Sequence, residues 1–182
     1  FHRIGHAFRV ATGFGGTYFT QQMLATKKDT FKGKTVTLSG FGNVTWGVAL
    51  KVTELGGRVV TISGPDGYVY DKDGISGKKI DYMLDLRASN QDIVKPYSYA
   101  FEGVEFHEGK RPWEVKVDIA LPCATQNELN GDDARLLIRN GVKLGGEMIS
   151  LPAIESVLLP RFTSEEDEGP PLAVETLGTA DS

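Results

Sequence analysis

The chain has 182 residues, a hydrophobic fraction of 40%, a charged fraction of 24% and a formal net charge of -4. That balance is ordinary for a soluble domain and argues against a nucleic-acid surface; no stretch approaches the ~18 apolar residues of a membrane span. Cys123 is the single cysteine, which excludes an internal disulfide and fits a reducing, cytoplasmic setting.

Residues 1–12 show no clear pattern, and a chain that starts at Phe1 reads as a fragment or a processed product. From Gly13 to about Lys28, the apolar positions Tyr18, Phe19, Met23 and Leu24 recur at near-helical spacing. Thr35-Val36-Thr37-Leu38-Ser39 is β-branched and apolar, and predicts a buried strand that runs into Gly40-Phe41-Gly42-Asn43. Val44, Val48, Leu50, Val52 and Leu55 predict a helix stopped by Gly56-Gly57, and Arg58 to Ser63 a second strand. Residues 33–63 thus have the form of a parallel βαβ unit.

Gly64-Pro65-Asp66-Gly67 is turn chemistry, followed by a short extension at Tyr68-Val69-Tyr70. Helices are predicted over Ile75–Ala88, Asp92–Phe101 and Glu128–Asn140, and strands over Val115–Leu121 and Val142–Glu147. Gly145 and Gly146 weaken the last of these. The fold class expected is α/β, a Rossmann-like, mostly parallel sheet flanked by helices with a nucleotide site at the strand C-termini. The acidic, Pro-containing run Ser164 to Pro171 predicts a disordered tail over 161–182, which leaves 13–160 as the dinucleotide-binding domain.

The chemistry is carried by Gly40-Phe41-Gly42 between strand and helix. The first glycine allows a tight turn, and the second lets the backbone approach a pyrophosphate with no Cβ in the way. The helix that follows aims its free N–H groups and positive dipole end at the phosphates. The third small residue of such a fingerprint is here Thr45, which is expected to push helix and strand apart. Asp66 is the carboxylate nearest the end of the second strand, where the adenosine ribose is expected; Pro-Asp-Gly is also good turn chemistry in its own right. The first cation after that strand is Lys72, so NAD is favoured over NADP.

Other candidates weigh less. His2, His6 and His107 have no metal-ligand spacing, and Cys123 has no cysteine partner, so no metal site is expected. Cys123 reads as a small buried thiol and not as a nucleophile. Trp46, Tyr68 and Tyr70 read as packing residues.

Thr12-Gly13-Phe14-Gly15, Ser39 to Val44, Ser63 to Tyr68, Asp85 to Ser89, Arg111-Pro112-Trp113 and Asp118 to Asn127 together resemble the hexameric glutamate dehydrogenases, in order, over roughly residues 11–143. The Cys123-Ala124-Thr125-Gln126-Asn127 run is the most specific of them. The resemblance implies oxidative deamination of L-glutamate to 2-oxoglutarate and ammonia with hydride passing to NAD. It implies Phe41, Gly42, Asn43 and Val44 around the pyrophosphate and Pro65 and Asp66 at the adenosine ribose. Ala124, Thr125 and Asn127 would lie on the nicotinamide side, and Thr12 near the nicotinamide amide. It also implies assembly as a homo-oligomer.

Departures from the family pattern at Phe8, Arg9 and Val10 make 1–12 read as an altered or foreign segment, and Ser150 stands where an asparagine is expected. The substrate domain, with the family's catalytic groups, has no counterpart in these residues. The chain alone is therefore expected to bind dinucleotide without turnover, glutamate being handled only where a substrate domain is present. A non-catalytic NAD-binding module and an inactive truncated product are the alternatives.

Overall fold

The computed structural model describes residues 2–89, 92–125, 128–146 and 156–157, with side chains for those between 12 and 145. In chain order the elements are α1 (His2–Thr26), β1 (Thr35–Leu38), α2 (Asn43–Glu54), β2 (Arg58–Gly64), β3 (Gly67–Tyr70), α3 (Lys78–Ala88), α4 (Lys95–Ala100), β4 (Glu105–Glu108), a 3-10 turn (Pro112–Glu114), β5 (Ile119–Leu121), α5 (Gly131–Arg139), β6 (Leu144–Gly146) and β7 (Ser156–Val157). The strands form one 7-stranded sheet in the order β4-β3-β2-β1-β5-β6-β7. Its centre, β2-β1-β5-β6, is parallel. Antiparallel strands extend both edges: β3 and β4 beyond β2, and β7 beyond β6.

The α/β reading and the βαβ unit at 33–63 hold. Strand alternation divides the core into two layers. Val36 and Leu38 of β1, Val59 and Ile62 of β2, and Ile119 and Leu121 of β5 face one cluster with Val48, Ala49 and Val52 of α2, Ile80 and Met83 of α3 and Tyr97 of α4. Val60 and Ala120 face the other, with Trp113, Val117, Leu137 and Val142. β1 and β5 alternate with a period of two, and a register shift in β2 between Val59 and Thr61 brings Val59 and Ile62 to the same face, so that helices pack on both faces of the sheet.

Residues 2–12, which show no pattern in the sequence, belong to α1. This helix meets α2 backbone to backbone. A Cβ built on Gly13 would stand 2.5 Å from the Val44 carbonyl oxygen, 2.8 Å from the Val48 nitrogen and 3.0 Å from the Gly47 Cα. Lys51 of α2 lies over the rings of Phe14 and Tyr18, 4.8 and 5.1 Å from their centroids, and pairs with Glu54 at 2.7 Å. The short approach fixes where α2 begins, and so where its N-terminus points.

Trp46 is buried among the core residues, as its packing role requires. Tyr68 stacks on its cross-strand neighbour His107, centroids 4.5 Å apart, and donates to Glu114 at 2.9 Å. The expected tail at 161–182 lies outside the described residues, as do Gln126, Asn127 and Ser150.

Candidate functional site

The order β2-β1-β5 makes β1 the strand at which the chain reverses direction across the sheet: β2 is added on one side of it and β5 on the other. In open parallel sheets the crevice at such a switch point, outside the strand C-termini, is where ligands bind. Here that crevice is bounded by the loop after β1, which carries Gly40 to Gly42, and the loop after β5, which carries Pro122 to Thr125.

The turn after β1 is built as the glycine spacing predicts. Gly40 has φ +85, a conformation that L side chains rarely adopt. A Cβ on it would lie 3.0 Å from both the nitrogen and Cα of Ala124, so the two loops touch at this residue. Gly42 differs. Its φ is -97, and a Cβ there would meet nothing within 4 Å. Gly42 is the N-cap of α2, with no side-chain cap and no acidic residue in the first turn. The leading N–H groups of α2 therefore have no side-chain acceptor at Gly42, an arrangement suited to an anion.

Thr45 does not wedge the helix away. It is fully buried, and its hydroxyl donates to the Ser39 carbonyl at 3.2 Å, tying α2 to the end of β1. Phe41 is buried with its ring edge-on to Trp46, centroids 5.4 Å apart. The Arg87 guanidinium lies 5.5 Å from the Phe41 centroid and pairs with Asp92. Sequence spacing along β2 did not bring this cation to the turn; α3 does. Asn43 and Val44 are half-buried in the first turn of α2, and Thr12 is half-buried in α1, next in sequence to the Gly13 that meets that turn.

Pro65 and Asp66 are the two loop residues of the β2–β3 hairpin, with Pro65 exposed. Asp66 has a structural task as well: its carboxylate accepts the Val94 N–H at 3.0 Å and the Lys95 N–H at 2.9 Å, capping α4. Asp66→Ala is expected to lower stability by about 1–2 kcal/mol through loss of this cap. A urea midpoint unchanged by the substitution would refute that task.

The loop after β5 is held by residues that sequence reasoning left aside. Ser39 accepts the Cys123 N–H at 3.0 Å and donates its own hydroxyl to Glu128 at 2.7 Å. The Glu128 carboxylate also accepts the Ala124 N–H at 3.1 Å and the Arg111 guanidinium at 3.0 Å. Ser63 at the end of β2 accepts the Gly40 N–H at 2.9 Å. Ala124 and Thr125 stay exposed on the crevice side of this frame. Glu128 falls in the sequence as the first residue of an expected helix; its signal was its place directly after the Cys-Ala-Thr-Gln-Asn run.

Burial pushes the Glu128 carboxyl above the ordinary range, against hydrogen bonds from Ser39, Ala124 and Thr125 and the charge of Arg111. A raised carboxyl favours the fold below the usual glutamate range and loses that contribution as pH rises through its folded value, so the ionised group is a cost to folding. The Cys123 thiol is buried and pushed well above its ordinary value, first by burial and then by Glu128, and its Sγ donates to the Leu121 carbonyl at 3.2 Å. It is an inert packing group. Among the described residues no cluster of three or more His, Cys, Asp or Glu side chains is placed to hold a metal ion, and no helix is long and apolar enough to cross a membrane.

The chain matches the Glutamate/Leucine/Phenylalanine/Valine dehydrogenase family over residues 5–154. It is 68% identical over 141 residues to the NAD-specific glutamate dehydrogenase of Bacteroides fragilis, covering 78% of this chain and 32% of that protein. It is 46% identical over 172 residues to the NADP-specific glutamate dehydrogenase of Haemophilus influenzae, covering 94% and 38%. A solved glutamate dehydrogenase structure superimposes with a TM-score of 0.74 at 48% identity, covering 79% of this chain and 32% of the other. The glutamate dehydrogenase of Plasmodium falciparum does so with a TM-score of 0.73 at 34% identity, covering 80% and 31%. The chain spans about a third of the length of the curated relatives it matches. It belongs to the glutamate/leucine/phenylalanine/valine dehydrogenase family, and within that family it stands with the glutamate dehydrogenases.

Proposed function

We propose that this chain is the dinucleotide-binding part of an NAD-linked glutamate dehydrogenase. The observation that carries the reading is Gly42: an N-cap of α2 with no side chain, open space where its Cβ would be, at the switch point of the sheet. That cradle fits a pyrophosphate. Gly40, Phe41, Gly42, Asn43 and Val44 would hold it, the α2 N–H groups supplying donors and dipole. Pro65 and Asp66 at the β2–β3 hairpin would meet the adenosine ribose, through carboxylate lone pairs that the α4 cap leaves over. Ala124, Thr125 and Asn127, with Thr12 from α1, would face the nicotinamide. When bound, NAD supplies the acceptor for hydride leaving the α-carbon of glutamate.

NAD is preferred over NADP in this reading. Asp66 would repel a 2′-phosphate; of two cations nearby, Arg87 is already paired with Asp92, and the Lys95 ammonium lies over the Phe106 ring, 5.4 Å from its centroid. NAD-specific relatives such as that of Bacteroides fragilis favour the same choice. Holding a substrate against the nicotinamide is worth about 7–11 kcal/mol of barrier in favourable cases. We assign that task to the part of the relatives that this chain does not span, and expect no glutamate-dependent NADH formation from the chain alone. A cytoplasmic setting and assembly into a homo-oligomer belong to the same proposal.

The test is calorimetric titration of the purified chain with NAD, NADH and NADP. Saturable binding with NAD tighter than NADP is the expected result. A folded chain that takes up none of them overturns the reading, and a tighter NADP isotherm overturns the cofactor preference.

A further inference from the structure

One buried carboxylate spans the crevice, and the dinucleotide turn does not by itself require it. The Glu128 side chain is 1% exposed. One of its oxygens takes the hydroxyl of Ser39, the residue just before Gly40, together with the N–H of Ala124 across the gap. The Thr125 N–H also donates to it. The other oxygen takes Arg111, whose own side chain is 57% exposed at the rim. Because Ser39 also accepts the Cys123 N–H, three consecutive amides of the β5 loop are referred to this one acceptor, directly or through one hydroxyl.

Ionising a carboxylate in this place costs folding free energy. Burial opposes its charge, and apolar or neutral side chains of similar volume commonly serve a fold at least as well. What the charge provides is a fixed acceptor for several N–H and O–H groups at once. A neutral amide of the same shape offers a single acceptor oxygen and turns an NH2 group toward Arg111 or toward the loop.

We propose that Glu128 is a positioning residue: it holds the Cys123-Ala124-Thr125 loop at a set distance and orientation from the Gly40 turn, and so aligns the nicotinamide end of the dinucleotide. The inference rests on the dinucleotide reading above. In that reading the adenosine half of the ligand lies on the β2 side, and the groups Glu128 holds, Ser39, Ala124, Thr125 and Arg111, are not part of the β2–β3 hairpin, so the two halves should respond differently when Glu128 is changed.

The experiment compares NADH with ADP-ribose, which keeps the adenosine, pyrophosphate and second ribose but lacks the nicotinamide. Glu128→Gln is expected to weaken NADH about tenfold, the loss of roughly one charged hydrogen bond, while ADP-ribose affinity changes less than about twofold. The fluorescence change of NADH on binding should shrink with it. Ser39→Ala, a nearly isosteric change, breaks the link from Glu128 to β1 and should give the same selective loss; it serves as a second variant where Glu128→Gln melts. Equal losses for both ligands, or none for either, overturn the proposal while leaving the dinucleotide reading intact. A wild-type chain that binds neither ligand overturns both.

Discussion

Replacing Gly13 with alanine is expected to lower the melting temperature of the chain by about 6–12 °C, the equivalent of roughly 3 kcal/mol for a chain of this size. The added methyl has no room and no soft neighbour. It would stand 2.5 Å from the Val44 carbonyl oxygen, 2.8 Å from the Val48 nitrogen and 3.0 Å from the Gly47 Cα, all of them backbone. Rotating a side chain cannot relieve such a contact, so α1 and α2 must move apart. The consequence reaches the crevice, because Val44 is in the first turn of α2 and a displaced α2 re-aims the N–H groups that follow Gly42. Gly15 provides the control. It is exposed on the same helix with nothing within 4 Å of its Cβ position. Alanine there should raise stability by about 0.5–1 kcal/mol through helix propensity alone. Thermal melting of the two variants separates the close approach from any general effect of helix content. Equal melting temperatures would mean that the α1–α2 contact does not hold the fold.

The difference between these two glycines was not legible in the sequence, where both belong to one Gly-rich stretch. The sequence shows what is local. The β-branched run at 35–39, the Gly40-x-Gly42 turn and the Gly56-Gly57 stop each carry their own backbone preference, and the βαβ unit follows from them. What depends on contacts between distant residues is hidden. β4 reads Glu-Phe-His-Glu, too polar to announce a strand, and forms because β3 offers its free edge. The strand expected from Val115 begins only at Ile119, since Pro112–Glu114 first makes a 3-10 turn. α5 starts at Gly131 and not at Glu128 because Asn130 and Asp133 form a reciprocal capping box. That shift frees Glu128 from the helix and lets it turn into the crevice. The glycine turn itself was legible, but its frame of Ser39, Ser63, Glu128 and Arg111 joins residues up to 89 positions apart, and no local pattern encodes that.

Gly42→Ala is expected to weaken NAD binding by about tenfold to a hundredfold, or roughly 1.4–2.8 kcal/mol, while leaving the melting temperature within about 4 °C of the wild type. The separation of the two effects is what makes the substitution informative. At φ -97 alanine is unstrained, and its methyl would point into open space. Alanine is a poorer N-cap than glycine, at a cost of about 0.5–1 kcal/mol to the folded chain. The neighbouring Gly40 offers no such test, because its φ of +85 and the Ala124 backbone 3.0 Å away would make alanine a folding defect. A methyl at Gly42 is thus felt only by something that comes to occupy that space, and a pyrophosphate drawn to the N-terminus of α2 must come within hydrogen-bond distance of the backbone there. Measured by calorimetry on a variant that melts like the wild type, weaker NAD binding locates the phosphates at this turn. Unchanged affinity would move them elsewhere, and the open space at Gly42 would then be a property of the helix start alone.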